Sequence, residues 1–325
     1  MNDSTAPRPR IVVTGRIPEP ALGLLREAGQ VWAWDGDDPV PIDVRDAQLA
    51  DADGVVTLLS DRVDDGFLDA APRARIVANV AVGYNNIDVA ACTAREVRVS
   101  NTPGVLTDAT ADLTMGLLIA ATRRLGEGER LIRSGTPWKW GMFMMLGTGL
   151  QGRRLGIVGM GGIGTAVASR ARAFGMEIVY HNRTAVASDI EQLLEARRLP
   201  LDELLATSDV VSLHCPYSDE THHLIDAAAL ATMRRSAYLV NTARGPIVDE
   251  AALVDALDDG RIAGAALDVF ENEPDVHPGL VDLDNVVLAP HLGSATTETR
   301  TAMAELAARN VIALLRGDEP PTPVN

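Results

Sequence analysis

Lysine is almost missing from this sequence. Lys139 is the only one among 29 basic residues, so positive charge comes from arginine. A GC-rich coding sequence produces the same bias, so an isolated arginine gains functional weight only from its position. Cysteine is nearly as scarce. Cys92 and Cys215 alone exclude a disulfide scaffold and suit a reducing compartment. Acidic residues outnumber basic ones by 45 to 29, a formal net charge of −16. That balance argues against nucleic acid and against anionic membrane surfaces as partners, since both need basic patches. No apolar run approaches the roughly 20 residues of a membrane span; "MGLLIAA" is among the longest. The opening "MNDSTAPRPR" has no apolar h-region, so no export signal is expected and the location expected is cytoplasmic. No histidine, cysteine and acid cluster has metal-ligand spacing, and no G-x-S-x-G elbow occurs.

What is present is a globular α/β pattern. The 325 residues, 46% of them apolar, suffice for one large or two ordinary domains. "RIVVTG", "GVVTLLS" and "RIVANVAV" read as buried strands with helical segments between them. From Thr107 the stretch "TDATADLTMGLLIAATRRL" predicts a longer helix, followed by an aromatic and methionine-rich loop, "PWKWGMFMMLG". A second strand–helix series then starts at "RRLGIVG". It continues through "MEIVYHN", "VVSLHC", "AYLVNTA", "GAALDV" and "NVVLAPH". Such alternation implies parallel sheets with helices on both faces. Two doubly wound parallel-sheet domains are predicted, with boundaries near residues 104 and 292. One comprises 1–103 and 292–325, the other 104–291, and the last long helix, 296–317, returns to the first. The terminal "DEPPTPVN" is expected to fray.

"GIVGMGGIG" places Gly159, Gly161 and Gly164 in a G-x-G-x-x-G pattern between a strand and a helix. Gly159 permits the tight turn, and Gly161 lets backbone approach a pyrophosphate. Gly162 and Ile163 open the helix whose N–H groups would hold that anion, and Gly164 allows close packing. This is a Rossmann-type dinucleotide site. The next strand ends in "IVYHNRT", where a ribose-reading acid is usual, and no acid is there. The repulsion that excludes a 2′-phosphate is therefore gone. Arg183 offers a two-pronged donor, with Asn182 and Thr184 as neutral donors. NADP(H) is favoured, with NAD(H) possible; the alternative for Arg183 is a solvated surface arginine.

Arg244, Glu273 and His291 fall just past strand ends in the same half, where open α/β sheets bind ligands. Arg244 can clamp a carboxylate and polarise a neighbouring carbonyl. His291 can donate or accept a proton near neutral pH. Glu273 can hold the imidazole and stabilise its charged form. The other histidines fit less well. His181 lies beside the ribose site, His277 in an acidic loop, and His214 ends a strand with nothing nearby to make it an acid. Adjacent His222 and His223 cannot both face one site from a helix or strand, and read as surface residues.

The motifs "GMGGIG", "NTARGPIVDEAAL", "LDVFENEP" and "PHLGSAT", in this order and spacing, closely resemble the D-isomer-specific 2-hydroxyacid dehydrogenases over nearly the whole chain. The resemblance implies that Arg244, Glu273 and His291 form a catalytic triad, and that the first domain is a flavodoxin-like substrate domain. It implies that Asp268 and the backbone at Thr242 and Ala243 position a nicotinamide. Cys215, Pro216 and Thr221 would line the adenosine side, Thr110 would approach from the long helix, and Ser294 would complete the cofactor set. "VAVGYNNID" resembles the family's substrate loop. There the N–H groups of Val82 and Gly83 would bind the substrate carboxylate, with Leu59 nearby.

"PWKWGMFMMLG" and "VLTDATADL" resemble the glyoxylate and hydroxypyruvate reductase subgroup, although Gly141 departs from its pattern. By that analogy the Trp138 and Trp140 loop lies at a homodimer interface, where Trp138 reaches the substrate. NADPH-dependent reduction of a small 2-oxo acid is the leading expectation. The alternatives are a reductase of sugar-derived acids such as 2-ketogluconate or of branched 2-oxo acids, and a dinucleotide-sensing corepressor on the same fold. Phosphite-oxidising relatives carry a lysine where Val82 stands.

Overall fold

The computed structural model describes residues 8–325. The chain divides into two compact units: unit 1 holds the chain up to Leu106 together with Thr296–Asn325, and unit 2 is Thr107–Ala295. The divisions fall at two helix starts, a few residues beyond the expected 104 and 292.

Unit 1 is a five-stranded parallel sheet. Its strands are β1 (Arg10–Val13), β2 (Gln30–Ala33), β3 (Gly54–Thr57), β4 (Ile76–Asn79) and β5 (Arg98–Ser100), in the order β2-β1-β3-β4-β5. That is the doubly wound flavodoxin-like order, with its switch point between β1 and β3. β1, β3 and β4 are short runs of valine, isoleucine and alanine with scarcely a polar residue, as strands covered on both faces must be. The helix Thr297–Arg316 covers one face through Ala304, Ala307, Ala308 and Val311. Thr296 caps its start by accepting from the Thr299 N–H, and Gly317 ends it at φ +92°.

The C-terminal segment does not fray. Val324 N–H donates to Val99 O at 2.7 Å, and Asn325 Oδ1 accepts from Val99 N–H at 2.7 Å. Ser100 and Pro323 form an antiparallel bridge. β5 is an edge strand with unused backbone groups, and the polar tail pairs with them.

Unit 2 is a seven-stranded parallel sheet of β6 (Arg154–Val158), β7 (Glu177–His181), β8 (Arg197–Arg198), β9 (Val210–Leu213), β10 (Tyr238–Asn241), β11 (Gly264–Leu267) and β12 (Val286–Leu288). The order is β12-β11-β10-β9-β6-β7-β8. Its switch point lies between β6 and β9, where such sheets open a ligand crevice at the carboxyl ends. The helix expected over 107–125 ends earlier, at Thr122, because Arg124 adopts φ +55° and starts a second helix, Leu125–Arg133. β8 is two arginines without an apolar signal, held to β7 by backbone pairing and to its end by the Arg198 guanidinium.

Candidate active site

In unit 2 the glycine turn follows β6 directly. Gly159 sits at φ +94°, and a Cβ there would lie 2.3 Å from Cys215 N. A Cβ on Gly164 would lie 2.5 Å from Gly159 O, whereas one on Gly161 would meet nothing within 4 Å. The turn is therefore packed on its inner side and open at Gly161. The helix Gly162–Ala173 starts there, and its first N–H groups, including those of Ile163 and Gly164, have no intrahelical partner. Small residues, an open backbone and a free helix start fit the pyrophosphate of a nicotinamide dinucleotide. Beside the turn, His214 Nδ1 is buried without a hydrogen-bond partner among the described residues. Burial pushes His214 down to about 4, so it is neutral near pH 7 and is no proton donor there. The same burial drives the Cys215 thiol up to about 11, so it is not a nucleophile.

Asn182 has a structural bond that its expected donor role does not describe. Its Oδ1 accepts from Met160 N–H at 2.6 Å and its Nδ2 donates to Met160 O at 3.3 Å. The carboxamide closes the glycine turn from the end of the neighbouring strand. Arg183 and Thr184 are exposed just beyond it. Arg198 holds this corner, donating to Asn182 O at 2.8 Å and Arg183 O at 2.6 Å. Among the described residues Arg183 makes no ion pair of its own. His181 uses Nδ1 on Leu199 O at 3.1 Å.

The proton-transfer groups meet at the far strand ends. His291 Nδ1 lies 2.8 Å from Glu273 Oε2, and Glu273 Oε1 accepts from Phe270 N–H at 3.0 Å. With Nδ1 occupied, Nε2 is the ring nitrogen left for a ligand. Burial raises the Glu273 carboxyl, but the hydrogen bond and charge of His291, the Phe270 N–H and the Arg244 charge together hold it below the usual carboxylate range. Arg244 is half-buried. Burial pulls its guanidinium down from its ordinary value, and the Glu273 charge opposes that pull. Arg244 and Glu273 are near enough for each to feel the other's charge.

Several residues expected to contact a ligand also have structural duties. Asp268 is 1% exposed, and its carboxylate accepts from Leu292 N–H at 2.7 Å and Gly293 N–H at 2.8 Å. It builds the turn that carries His291, whose own N–H donates to Asp268 O at 2.8 Å. Burial raises Asp268 despite those two donors. Thr110 donates to Gly293 O at 3.0 Å and braces the same turn, next to half-buried Ser294. The Thr242 hydroxyl is buried against Thr114 Oγ1 at 2.9 Å. Ala243 N–H donates to Asn241 Oδ1 at 3.0 Å, and Ala243 O accepts from Arg244 Nη1 at 2.6 Å. The Thr221 hydroxyl donates to Pro216 O at 2.9 Å and closes the 216–221 turn.

Residues missed in the sequence do comparable work. Buried Asn241 donates to Arg244 O at 2.9 Å and so fixes the backbone that presents the arginine. A buried asparagine ending an apolar strand was the available signal. A Cβ on Gly245 would lie 1.8 Å from Phe270 C, so only glycine lets the Arg244 turn touch the Glu273 loop backbone to backbone. His223 is not a free surface residue: Nε2 lies 2.7 Å from Glu271 Oε1. Its φ of +49° folds its ring beneath His222, the two stacking at 4.0 Å, so adjacent residues do face one way.

Within unit 1, Ala81 O accepts from Thr102 N–H at 2.9 Å and Val82 O from Asn101 Nδ2 at 2.7 Å. A trans peptide points its N–H opposite its carbonyl. Those bonds therefore fix the directions of the Val82 and Gly83 N–H groups. Asn79 Nδ2 donates to Gly83 O at 3.0 Å from the end of β4. Half-buried Leu59 lines a cleft of about 550 Å³ with Asn85 and Asn86.

Residues 115–293 match the family described as D-isomer specific 2-hydroxyacid dehydrogenase, NAD binding domain. A glyoxylate reductase of Thermococcus onnurineus is 50% identical over 323 residues, covering 98% of this chain and 96% of that one. A crystal structure of a Thermus thermophilus protein superposes with a TM-score of 0.91 at 45% identity, over 97% of this chain and all of the other. An NADPH-dependent glyoxylate/hydroxypyruvate reductase of Sinorhizobium meliloti, solved with NADP and malonate, gives a TM-score of 0.82 at 37% identity, over 98% of this chain and 97% of that one.

Proposed function

This chain belongs to the D-isomer specific 2-hydroxyacid dehydrogenases, NAD(P)-dependent oxidoreductases, and we propose that it reduces a glyoxylate- or hydroxypyruvate-type 2-oxo acid to the D-2-hydroxy acid with NADPH. The observation that carries this reading is the His291–Glu273 pair, 2.8 Å apart, coupled to Arg244. The names of the relatives supply the substrate class: a glyoxylate reductase and a glyoxylate/hydroxypyruvate reductase.

When bound, the reduced nicotinamide supplies the hydride. Gly159, Gly161 and the start of the helix Gly162–Ala173 hold the pyrophosphate. Arg244 binds the substrate carboxylate and carbonyl oxygen, a local cation against a net charge of −16. His291, charged and oriented through Nδ1 by Glu273, gives the Nε2 proton to the forming alkoxide. In the reverse direction the neutral imidazole takes that proton back.

The preference for NADPH rests on Arg183 and on the lack of any carboxylate across His181–Thr184. A homodimer is supported by an apolar stretch in which Trp140 is 78% and Phe143 84% exposed, beside exposed Trp138. Sedimentation at the 34.5 kDa of a single chain would remove that part. The test of the whole reading is turnover of a panel of 2-oxo acids with NADPH and NADH. Glyoxylate or hydroxypyruvate with NADPH should give the highest kcat/KM, and no turnover of any 2-oxo acid would refute it.

A further inference from the structure

The loop 270–273 meets two histidines, one at each end. Glu273 pairs with His291 at 2.8 Å and Glu271 pairs with His223 at 2.7 Å. Both histidines hold left-handed backbone, φ +53° and +49°. His291 has a role in the proposed chemistry; His223 has none so far.

The surroundings of His223 suggest one. Its N–H donates to Pro246 O at 2.9 Å, two residues past Arg244. The segment continues along the Arg244 turn: Ile225 N–H donates to Ile247 O at 3.0 Å, and Asp249 N–H to Ile225 O at 3.1 Å. The backbone of His223 thus belongs to the Arg244 side. Its side chain crosses to Glu271, two residues before Glu273. Glu271 is held at one other point, its N–H donating to Glu250 Oε1 at 2.7 Å. The charged and titratable neighbours of the ring are Glu271, Asp249 at 3.9 Å from Nδ1, and stacked His222.

We propose that His223 is a positioning residue: it ties the turn that presents Arg244 to the loop that presents Glu273, and thereby sets the contact between Glu273 and His291. This rests on the reading of His291 and Glu273 as the proton-transfer pair. The mechanical link is short. Glu273 takes its orientation from Phe270 N–H, and Phe270 is the neighbour of Glu271. Where a Cβ on Gly245 would strike Phe270 C, the two backbones are already in contact, so they have no slack in that direction. They can only part, and the His223–Glu271 bond opposes parting. If the loop moves away, the carboxylate leaves the imidazole and its charge coupling falls with distance.

The experiment is the pH dependence of kcat/KM for 2-oxo acid reduction, measured for wild type, His223→Asn, His223→Gln and Glu273→Gln. Asparagine tolerates left-handed backbone, so His223→Asn removes the reach to Glu271 while sparing the turn. It should lower kcat/KM about 10-fold, as misplacing a catalytic group does. It should also move the alkaline limb to lower pH, in the same direction as Glu273→Gln. KM for NADPH should stay within about 2-fold of wild type, because a distortion confined to this loop removes no binding shared by ground and transition states. Glutamine can still donate to Glu271, so His223→Gln should restore most of the activity and the limb. An alkaline limb unmoved in His223→Asn but moved in Glu273→Gln overturns the inference and leaves the proposed function standing. A limb unmoved in both overturns the proton-transfer pair, and this inference with it.

Discussion

His291 Nδ1 and Glu273 Oε2 stand 2.8 Å apart, each about a third exposed. The carboxylate engages Nδ1 and leaves Nε2 free. Reduction uses the charged form and oxidation the neutral one. Rates of reduction should therefore fall, and rates of oxidation rise, as pH climbs and the imidazole loses its proton. Glu273→Gln should shift both limbs to lower pH, and coincident profiles in the two directions would count against the assignment. The folded-state value of Glu273 is depressed. The stability it contributes is present above the ordinary glutamate range, about 4.3, and is lost as pH falls through the folded value. Thermal melts below that range should show wild type converging on Glu273→Gln.

Arg183 lies just past β7, exposed, with its carbonyl anchored by Arg198. Arg183→Ala should raise KM for NADPH at least about 10-fold and leave KM for NADH within about 2-fold, as for loss of one phosphate fork. Equal effects on both cofactors would mark Arg183 as a surface residue only.

Gly245→Ala places a methyl 1.8 Å from Phe270 C. The two loops must separate, so we expect kcat/KM to fall about 100-fold, the scale of an ångström-level misplacement. Retained activity with an unchanged melting temperature would show that the contact is not rigid.

Asn310 is fully buried, and the tail satisfies it: Nδ2 donates to Thr322 Oγ1 at 2.8 Å and Oδ1 accepts from Thr322 N–H at 2.9 Å. Deleting residues 320–325 leaves that amide without those partners, a cost of about 1–3 kcal/mol. The bared β5 edge adds to it. The deletion should lower the melting temperature by several degrees, whereas an unchanged melt would mean the tail is loosely held.

The parts of the fold and site legible in the sequence were those whose chemistry fixes their neighbours in the chain. Gly159, Gly161 and Gly164 serve one turn, and a strand and helix around them complete the signal. Arg244, Glu273 and His291 stood out as candidates because strand ends collect ligand groups. The bonds that Asp268 and Thr110 make in the His291 turn reach residues 25 and 183 positions away, so no local motif encodes them. Asn182, Gly245 and His223 act across sequence distance, on Met160, Phe270 and Glu271. No local pattern encodes such partners. The arginine strand β8 and the polar tail were hidden for a related reason: backbone pairing and side-chain hydrogen bonds, not apolar periodicity, hold them.

The central claim is that His291 is the proton donor, and steady-state turnover of glyoxylate and hydroxypyruvate with NADPH by His291→Asn tests it most directly. Asparagine suits the left-handed backbone at φ +53°, so the turn should survive. The expected result is a kcat at pH 7 lower by about 100-fold or more, the usual scale for losing a positioned acid, with KM for NADPH little changed. A kcat within about 2-fold of wild type, far inside that scale, would contradict it.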